Sequence, residues 1–322
     1  MYPRRVRGKR FANGDGRRVS RLLGGLLFCL PLLLPTLAGA EVNRHAEGSL
    51  RNEIALGVVP EQNIFRQIER YTPIARYLST VVGRNVTLKV FTVYQDAIDA
   101  LDSAGIDGVF LGSLASAVAV QEKAAVPLAR PEYMDGSSTY HGLLFVRKDS
   151  GIRDARGMKG TRFVFVSRAT TAGYVLPLFY FRTHGIKDYT TYFKETYFAG
   201  THEGAITDVL DGRADVGAAK NTIYRRLAAE DTRVAEELKI LSRSPDVPET
   251  TLVVRSNLNP SVSAALGDAL LAMHRNPAGS SALKDFGARR FISAAQKDYE
   301  PLIAYVRKAG LDLRRYAATN GQ

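Results

Sequence analysis

From Glu53 onward the sequence alternates short apolar runs with longer stretches whose apolar residues recur every three or four positions. No other feature constrains the fold as strongly. EIALGVVP (Glu53–Pro60) reads as a buried strand. Ile64, Ile68, Tyr71, Ala75, Leu78 and Val82 then mark a helix over 64–82, which Gly83 stops. Val86–Phe91 predicts a strand, Tyr94–Ala104 a helix, Gly108–Gly112 a short buried strand and Leu114–Lys123 a helix. That order implies an α/β architecture, a mostly parallel sheet flanked by helices on both faces.

The pattern then starts again. Tyr140–Lys148 and Arg162–Ser167 read as strands, the second feeding a helix from Ala172 to Gly185. Thr191–Phe198 and Asp215–Ala219 are expected strands, followed by helices over His202–Leu210 and Asn221–Glu230. Strands at Leu238–Leu241 and Thr250–Arg255, a helix over Pro260–Arg275 and a helical tail to Leu311 complete the chain. The simplest arrangement returns the tail to the first unit. It gives two lobes, 41–148 with 246–322 and 149–245, joined by two hinge crossings near Asp149 and Pro245. A double hinge lets such lobes close around a ligand.

The first 40 residues read as an address rather than as part of this fold. They hold eight Lys/Arg and one Asp, a net +7 of the chain's +12, so residues 41–322 carry only +5. The basic residues end at Arg21, an uncharged stretch runs from Leu22 to Ala40, and Ala38-Gly39-Ala40 closes it as a small-x-small cleavage site. We therefore expect export to the periplasm with a signal peptide at 1–40, cleaved after Ala40; the alternative is an uncleaved anchor of marginal spanning length. Arg17-Arg18 is a poor match to a twin-arginine signal. The single cysteine, Cys29, follows Phe28 inside the apolar stretch, which fits no lipidation signal and leaves the mature chain without a disulfide or thiol nucleophile. A mildly basic mature protein suits anionic solutes and gives no ground for nucleic-acid binding.

Ligands of open α/β sheets sit beyond the carboxyl ends of strands. Several turns lie there. Val59-Pro60-Glu61-Gln62-Asn63 leaves the first strand, Gly112-Ser113 the third, Arg168 to Tyr174 follows RFVFVS, and Gly200-Thr201-His202 opens a helix. Thr170, Thr171, Ala172 and Gly173 offer two hydroxyls and free backbone N–H groups to one anion, unless the threonines are simple caps. His202 stands at another helix start, and Lys220 at a strand end could neutralise an anion. Tyr94, Tyr140, Tyr174 and Tyr224 could supply aromatic walls or phenol donors. The histidines have no metal-ligand spacing, the His202-Glu203 pair lacks a second His at i+4, and neither G-x-S-x-G, a P-loop nor G-x-G-x-x-G occurs. No enzyme, cofactor or metal is expected.

In order along the chain stand IALGVVPEQN, YTPIARYLSTVVGRNVTLKVF, GIDGVFLG, YHGLLFVRKDSGI, KGTRFVFV, TTAGYVLP, THEGAITDVLDGRADVGAAK, ILSRSPDVPETTLVVR and HRNPAGSSAL. Across about 250 residues this text resembles the periplasmic phosphate/phosphite/phosphonate-binding proteins of ABC transporters. The resemblance implies a type II periplasmic-binding fold and capture of a small oxyanion between two lobes for a membrane permease. It further implies that Thr170-Thr171-Ala172-Gly173-Tyr174 takes the place of a Ser-Thr-Ser-Gly-Tyr turn that holds phosphonate oxygens, with Ala172 lacking the third hydroxyl. His202 and Tyr94 match the family's binding His and Tyr, and Ser113 stands where members often carry Gly-Pro-x-x-Tyr. Lys220 replaces an acidic or small polar residue, which argues against an aminoalkyl phosphonate. The ligand-binding set is thus Thr170, Thr171, Ala172, Gly173, His202, Tyr94, Lys220 and Ser113, in a monomer. The alternatives are a periplasmic sensor that signals through a receptor kinase, an enzyme on the same fold, or a tyrosine-bound ferric ion; neighbouring permease or kinase genes would separate the first from transport.

Overall fold

The computed structural model describes residues 52–313 of the chain. The expected signal segment, Cys29 and the cleavage point after Ala40 lie outside the described residues. The first α/β run is β1 (Glu53–Val58), α1 (Ile64–Val82), β2 (Asn85–Val90), α2 (Tyr94–Asp99), β3 (Gly108–Leu111), α3 (Ser113–Glu122) and β4 (Val126–Glu132). The second is β5 (Thr139–Tyr140), β6 (Gly142–Arg147), β7 (Arg162–Phe165), a π-helical turn at Thr171–Val175 that runs into α4 (Leu176–Thr183), then α5 (Tyr189–Tyr192), β8 (Glu195–Phe198), α6 (His202–Leu210), β9 (Val216–Lys220), α7 (Asn221–Glu230), α8 (Arg233–Glu237) and β10 (Leu238–Arg243). The return comprises β11 (Val247–Pro248), β12 (Thr251–Val254), α9 (Pro260–Ala272), α10 (Pro277–Phe286), β13 (Arg290–Ser293) and α11 (Glu300–Lys308).

Two sheets organise these elements. One has the order β13-β4-β12-β3-β1-β2 and the other β10-β6-β9-β7-β8. Within each, strands joined by a helix crossover are parallel: β1 with β2 and β3, and β7 with β8 and β9. Strands that arrive from the other sheet or by a return run antiparallel, as β12 does to β3 and β4, and β6 to β9 and β10. The sheets are therefore mixed rather than mostly parallel, because a chain that enters a sheet without a βαβ crossover has no handedness rule holding it parallel.

The first crossing also lies earlier than the sequence order implies. Gly142–Arg147, counted above with 41–148, pairs with β9 and β10 in the second sheet. The chain passes between sheets at β5, whose Tyr140 and Thr139 pair with Val247 and Pro248 of β11. Both crossings thus travel together as one short antiparallel ribbon. The tail does rejoin the first sheet through β13, but α11 also packs its Tyr305 ring on Phe179 of α4, centroids 4.8 Å apart.

Helix ends follow local chemistry. Asn63 caps α1 by accepting from the Phe65 N–H at 2.9 Å, and Gly83 closes it with φ 70°, a left-handed conformation that glycine adopts without a Cβ penalty. The first turn of α1 departs from the expected apolar face: Ile64 and Ile68 are exposed, while Gln67 is buried and donates to the Val59 carbonyl at 2.6 Å. That turn lies over the loop after β1 and reaches the second sheet, where Arg66 pairs with Glu230 and lies 4.0 Å from Glu203.

Candidate functional site

The carboxyl ends of β1, β2, β3, β7, β8 and β9 converge, and every residue of the expected binding set lies in buried positions there. The turn after β7 sets the geometry. Gly173 lies so close to Val166 that a Cβ would overlap that side chain, and its carbonyl accepts from the Val166 N–H at 3.2 Å. Ala172 faces β6, where a Cβ on Gly142 would come within 2.9 Å of its Cα. Gly173 and Ala172 therefore seat the turn and offer only backbone to a ligand. The two threonines divide. Thr170 is committed, its hydroxyl donating to the Ser167 carbonyl at 2.7 Å. The Thr171 hydroxyl is buried without a hydrogen bond of good geometry, beside the Tyr140 phenol, whose pKa burial raises. First-turn N–H groups of a helix have no intrahelical acceptor, so the turn also presents amides and the positive end of the helix dipole.

His202 opens α6 behind the Thr201 cap, whose hydroxyl accepts from the Gly204 N–H at 2.8 Å. Its Nδ1 accepts the Lys220 backbone N–H at 3.2 Å, which places the ring proton on Nε2. Burial, with the Lys220 charge adding to it and Glu61 opposing, lowers the His202 pKa to about 3. The imidazole is neutral at physiological pH, with its proton on Nε2. Tyr94 stands edge-on to it at 6.5 Å between ring centroids. The Tyr94 phenol is buried without a partner, and burial followed by the Glu61 charge raises its pKa well above the ordinary tyrosine range, so it too is a neutral donor.

Lys220 and Ser113 do other work than expected. Ser113 donates to the Pro248 carbonyl, tying the start of α3 to β11. Lys220 is buried and already neutralised. Its Nζ binds Glu61 Oε1 at 2.8 Å, Thr250 Oγ1 at 2.9 Å and the Glu249 carboxylate, and it stands 4.5 Å above the Tyr140 ring. Arg70 lies 4.0 Å from the other Glu61 oxygen. Burial alone would raise the Glu61 pKa, but Lys220 and Arg70 override it and hold the carboxyl at about 2. The same two carboxylates raise the Lys220 pKa against its own burial. Lys220 thus faces both Glu61 and Glu249, with Arg70 on the far side of Glu61.

Glu61 also joins the lobes through its backbone, its carbonyl accepting from His202 N at 3.0 Å and Glu203 N at 3.3 Å. Glu249, Thr250 and Arg70 did not emerge from the sequence as site residues, and Glu61 emerged only as part of the turn that leaves the first strand. A signal was present: Val59-Pro60-Glu61 and Val247-Pro248-Glu249 share one tripeptide at a chain exit and at a crossing. Outside the cluster a cleft of about 320 Å³ opens on Tyr94, bounded by Thr92–Gln95 on one side and by Val166–Ala169, Phe198 and Gly200 on the other. Among the described residues no group of three or more His, Cys, Asp or Glu is placed to hold a metal ion.

Residues 56–299 match the model of a family described as the periplasmic substrate-binding protein of phosphonate ABC transporters. The chain belongs to this family. Its members are periplasmic binding proteins of transport systems, not enzymes. The chain is similar to the phosphonates-binding periplasmic protein of Escherichia coli K12, 23% identical over 288 residues that cover 88% of this chain and 83% of the relative. It is similar in structure to the binding protein component of an ABC phosphonate transporter from Pseudomonas aeruginosa, with a TM-score of 0.74, 23% identity and coverage of 83% and 88%. A binding protein from Prochlorococcus marinus, solved with methylphosphonate, gives a TM-score of 0.71 at 20% identity, covering 80% of this chain and 98% of that one. These likenesses carry the two-lobed fold.

Proposed function

We propose that this family member captures a small tetrahedral oxyanion of phosphorus, such as phosphite, phosphate or methylphosphonate, and delivers it to an ABC permease. One observation carries the reading: the buried Tyr94 phenol has no protein partner and stands beside a neutral His202 whose ring proton is on Nε2, with the buried Thr171 hydroxyl next to the Tyr140 phenol. Buried polar groups of native proteins are nearly always satisfied, so unpartnered donors that converge on one strand-end crevice define a place for acceptor oxygens. Tyr94 comes from the first lobe and Thr171 and His202 from the second, so the ligand bridges the lobes. Thr170, Ala172, Gly173 and Ser113 hold the frame. The bound relative from Prochlorococcus and the name of the Escherichia coli relative support phosphorus as the central atom. Export to the periplasm agrees with the family and with the N-terminal segment read above.

Isothermal titration of the mature protein with phosphite, phosphate, methylphosphonate and sulfate tests this. At least one phosphorus anion is expected to bind at micromolar or tighter Kd, and the Thr171→Val and His202→Asn variants are expected to lose it. A folded protein that binds none of the phosphorus anions overturns the reading.

A further inference from the structure

The lobes meet differently at α7 and at the cleft beside Tyr94. Along α7 they are tied. Arg226 Nη1 donates to Gln62 Oε1 at 2.6 Å, Arg66 pairs with Glu230, and Arg225 lies 3.6 Å from Asp135. Among the described residues no hydrogen bond or ion pair crosses the cleft of about 320 Å³. It lies between the turn after β2 in one lobe and the turns after β7 and β8 in the other. β2 and β8 are edge strands, each three places along its sheet from β12 or β6, the strands that the crossings enter. The lobes therefore part most widely here when they open about the crossings. Of the residues lining the cleft only Arg168 is charged. Its guanidinium is held in place: Nη1 donates to the Tyr174 phenol at 2.7 Å, and its carbon stands 5.4 Å from the Tyr174 ring centroid and 5.3 Å from that of Phe198. The residue is exposed, and among the described residues no carboxylate pairs with it.

We propose that this cleft is the port through which the phosphorus oxyanion enters and leaves, and that Arg168 is a positioning residue that gathers the anion at its mouth. The proposal rests on the function given above. Tyr94 and His202 are buried and neutral, so they reach only a ligand already inside the crevice. Neutral donors exert little pull at a distance, whereas a guanidinium acts over about a Debye length, about 10 Å at 0.1 M salt. Arg168 stands two residues before Thr170 on the turn that carries Thr171, so an anion held by it is at the threshold of the buried site. One guanidinium N–H is spent on the Tyr174 phenol, which leaves the others for phosphorus-bound oxygens. A charge at a rim changes the rate of arrival and its salt dependence more than the residence time. Narrowing a port acts otherwise: it slows entry and exit alike and leaves the equilibrium where it was.

Stopped-flow mixing of the mature protein with methylphosphonate, phosphite and phosphate tests the proposal, followed by tyrosine fluorescence because the chain has no Trp. Wild type, Arg168→Gln, Arg168→Lys and Val93→Phe are compared at about 0.01 M salt, where screening sets in at about 30 Å, and at about 1 M, where it sets in at about 3 Å. Arg168→Gln is expected to associate roughly three- to tenfold more slowly at low salt, to dissociate within about twofold of wild type, and to match wild-type association at high salt. Arg168→Lys keeps the charge and should associate within about twofold of wild type at low salt, which a purely packing role for the stacked guanidinium does not predict. Val93→Phe crowds the exposed lip of the cleft and should slow association and dissociation by the same factor, with Kd unchanged. The steering role is overturned if Arg168→Gln associates as fast as wild type at low salt, if its deficit persists at high salt, or if Arg168→Lys fails to restore the rate. The port is overturned if Val93→Phe exchanges ligand at the wild-type rates. Those results sink this inference alone. A folded wild type that binds none of the three anions sinks the proposed function and this inference with it.

Discussion

Replacing Glu61 by Gln isolates the charge of the residue on which both lobes meet. The amide keeps the shape, and the backbone contacts to His202 and Glu203 remain, but Lys220 keeps only Glu249 and Arg70 loses its carboxylate. The magnitude follows from linkage. With a folded pKa of about 2 against an ordinary 4.5, the ionised carboxylate contributes about 3 kcal/mol at pH 7. The sign is that of a depressed acid: the contribution is complete above pH 4.5 and is lost as pH falls toward 2. At pH 3 about half of it should remain. Urea unfolding of wild type and Glu61→Gln at pH 7 and at pH 3 gives the two differences directly. A loss of about 3 kcal/mol also corresponds to a drop in Tm of roughly 5 °C for a chain of this size. The reasoning fails if the variant is within about 1 kcal/mol of wild type at pH 7, or if the difference is as large at pH 3 as at pH 7.

Three further outcomes follow from the same geometry. Tyr94→Phe removes a buried hydroxyl that has no protein partner, so it should weaken anion binding by roughly tenfold while leaving the unliganded protein as stable as wild type or more so, measured by titration and by melting without added anion. Because His202 stays neutral to about pH 3, affinity for a ligand whose own charge is constant should be flat between pH 5 and 8; a titration curve that rises through pH 6.5 on acidification would show imidazolium at work instead. Gly173→Ala places a methyl on Val166, so the turn must shift: a stability loss of about 1–3 kcal/mol with loss of binding is expected, and a fully stable, fully binding variant would contradict the packing described.

The order of helices and strands was legible because caps and periodicity agreed. α1, α6 and α7 occupy the spans expected, α1 with Gly83 as its stop signal and α6 with Thr201 as its start signal. β4 and β13 were not legible. β4 reads VPLARPE, and two prolines inside seven residues argue against a strand that proves to have neighbours on both sides, with a register shift opposite Leu252 and Val253. The segment before β8 was read as one strand from Thr191, but Asp188 caps a helical turn there by accepting from the Thr190 N–H. In the site, positions were legible and orientations were not. Thr170 and Thr171 are neighbours with the same side chain, yet one hydroxyl serves its own turn and the other lies beside the Tyr140 phenol. Lys220 stood at the right sheet edge, but its two carboxylates lie 159 and 29 residues away in sequence, and only the folded chain brings them together.

That division of labour separates the neutral donors of the proposed anion site from the buried ion pairs of Lys220. The groups facing the proposed ligand are neutral donors: a phenol, a hydroxyl, an imidazole Nε2–H and the first amides of a helix. Such donors are strong in a low-dielectric crevice and release no counterions on binding, so selectivity comes from their geometry rather than from net charge. The buried ion pairs of Lys220 with Glu61 and Glu249 lie one ring away. Glu61 connects the two sets, since its side chain closes on Lys220 while its carbonyl accepts from His202. Opening the lobes must break both contacts together, returning a carboxylate and an ammonium to water while it removes the acceptor that fixes the His202 backbone. The proposed anion site and the ion cluster therefore share Glu61, and a change in either should be felt in the other.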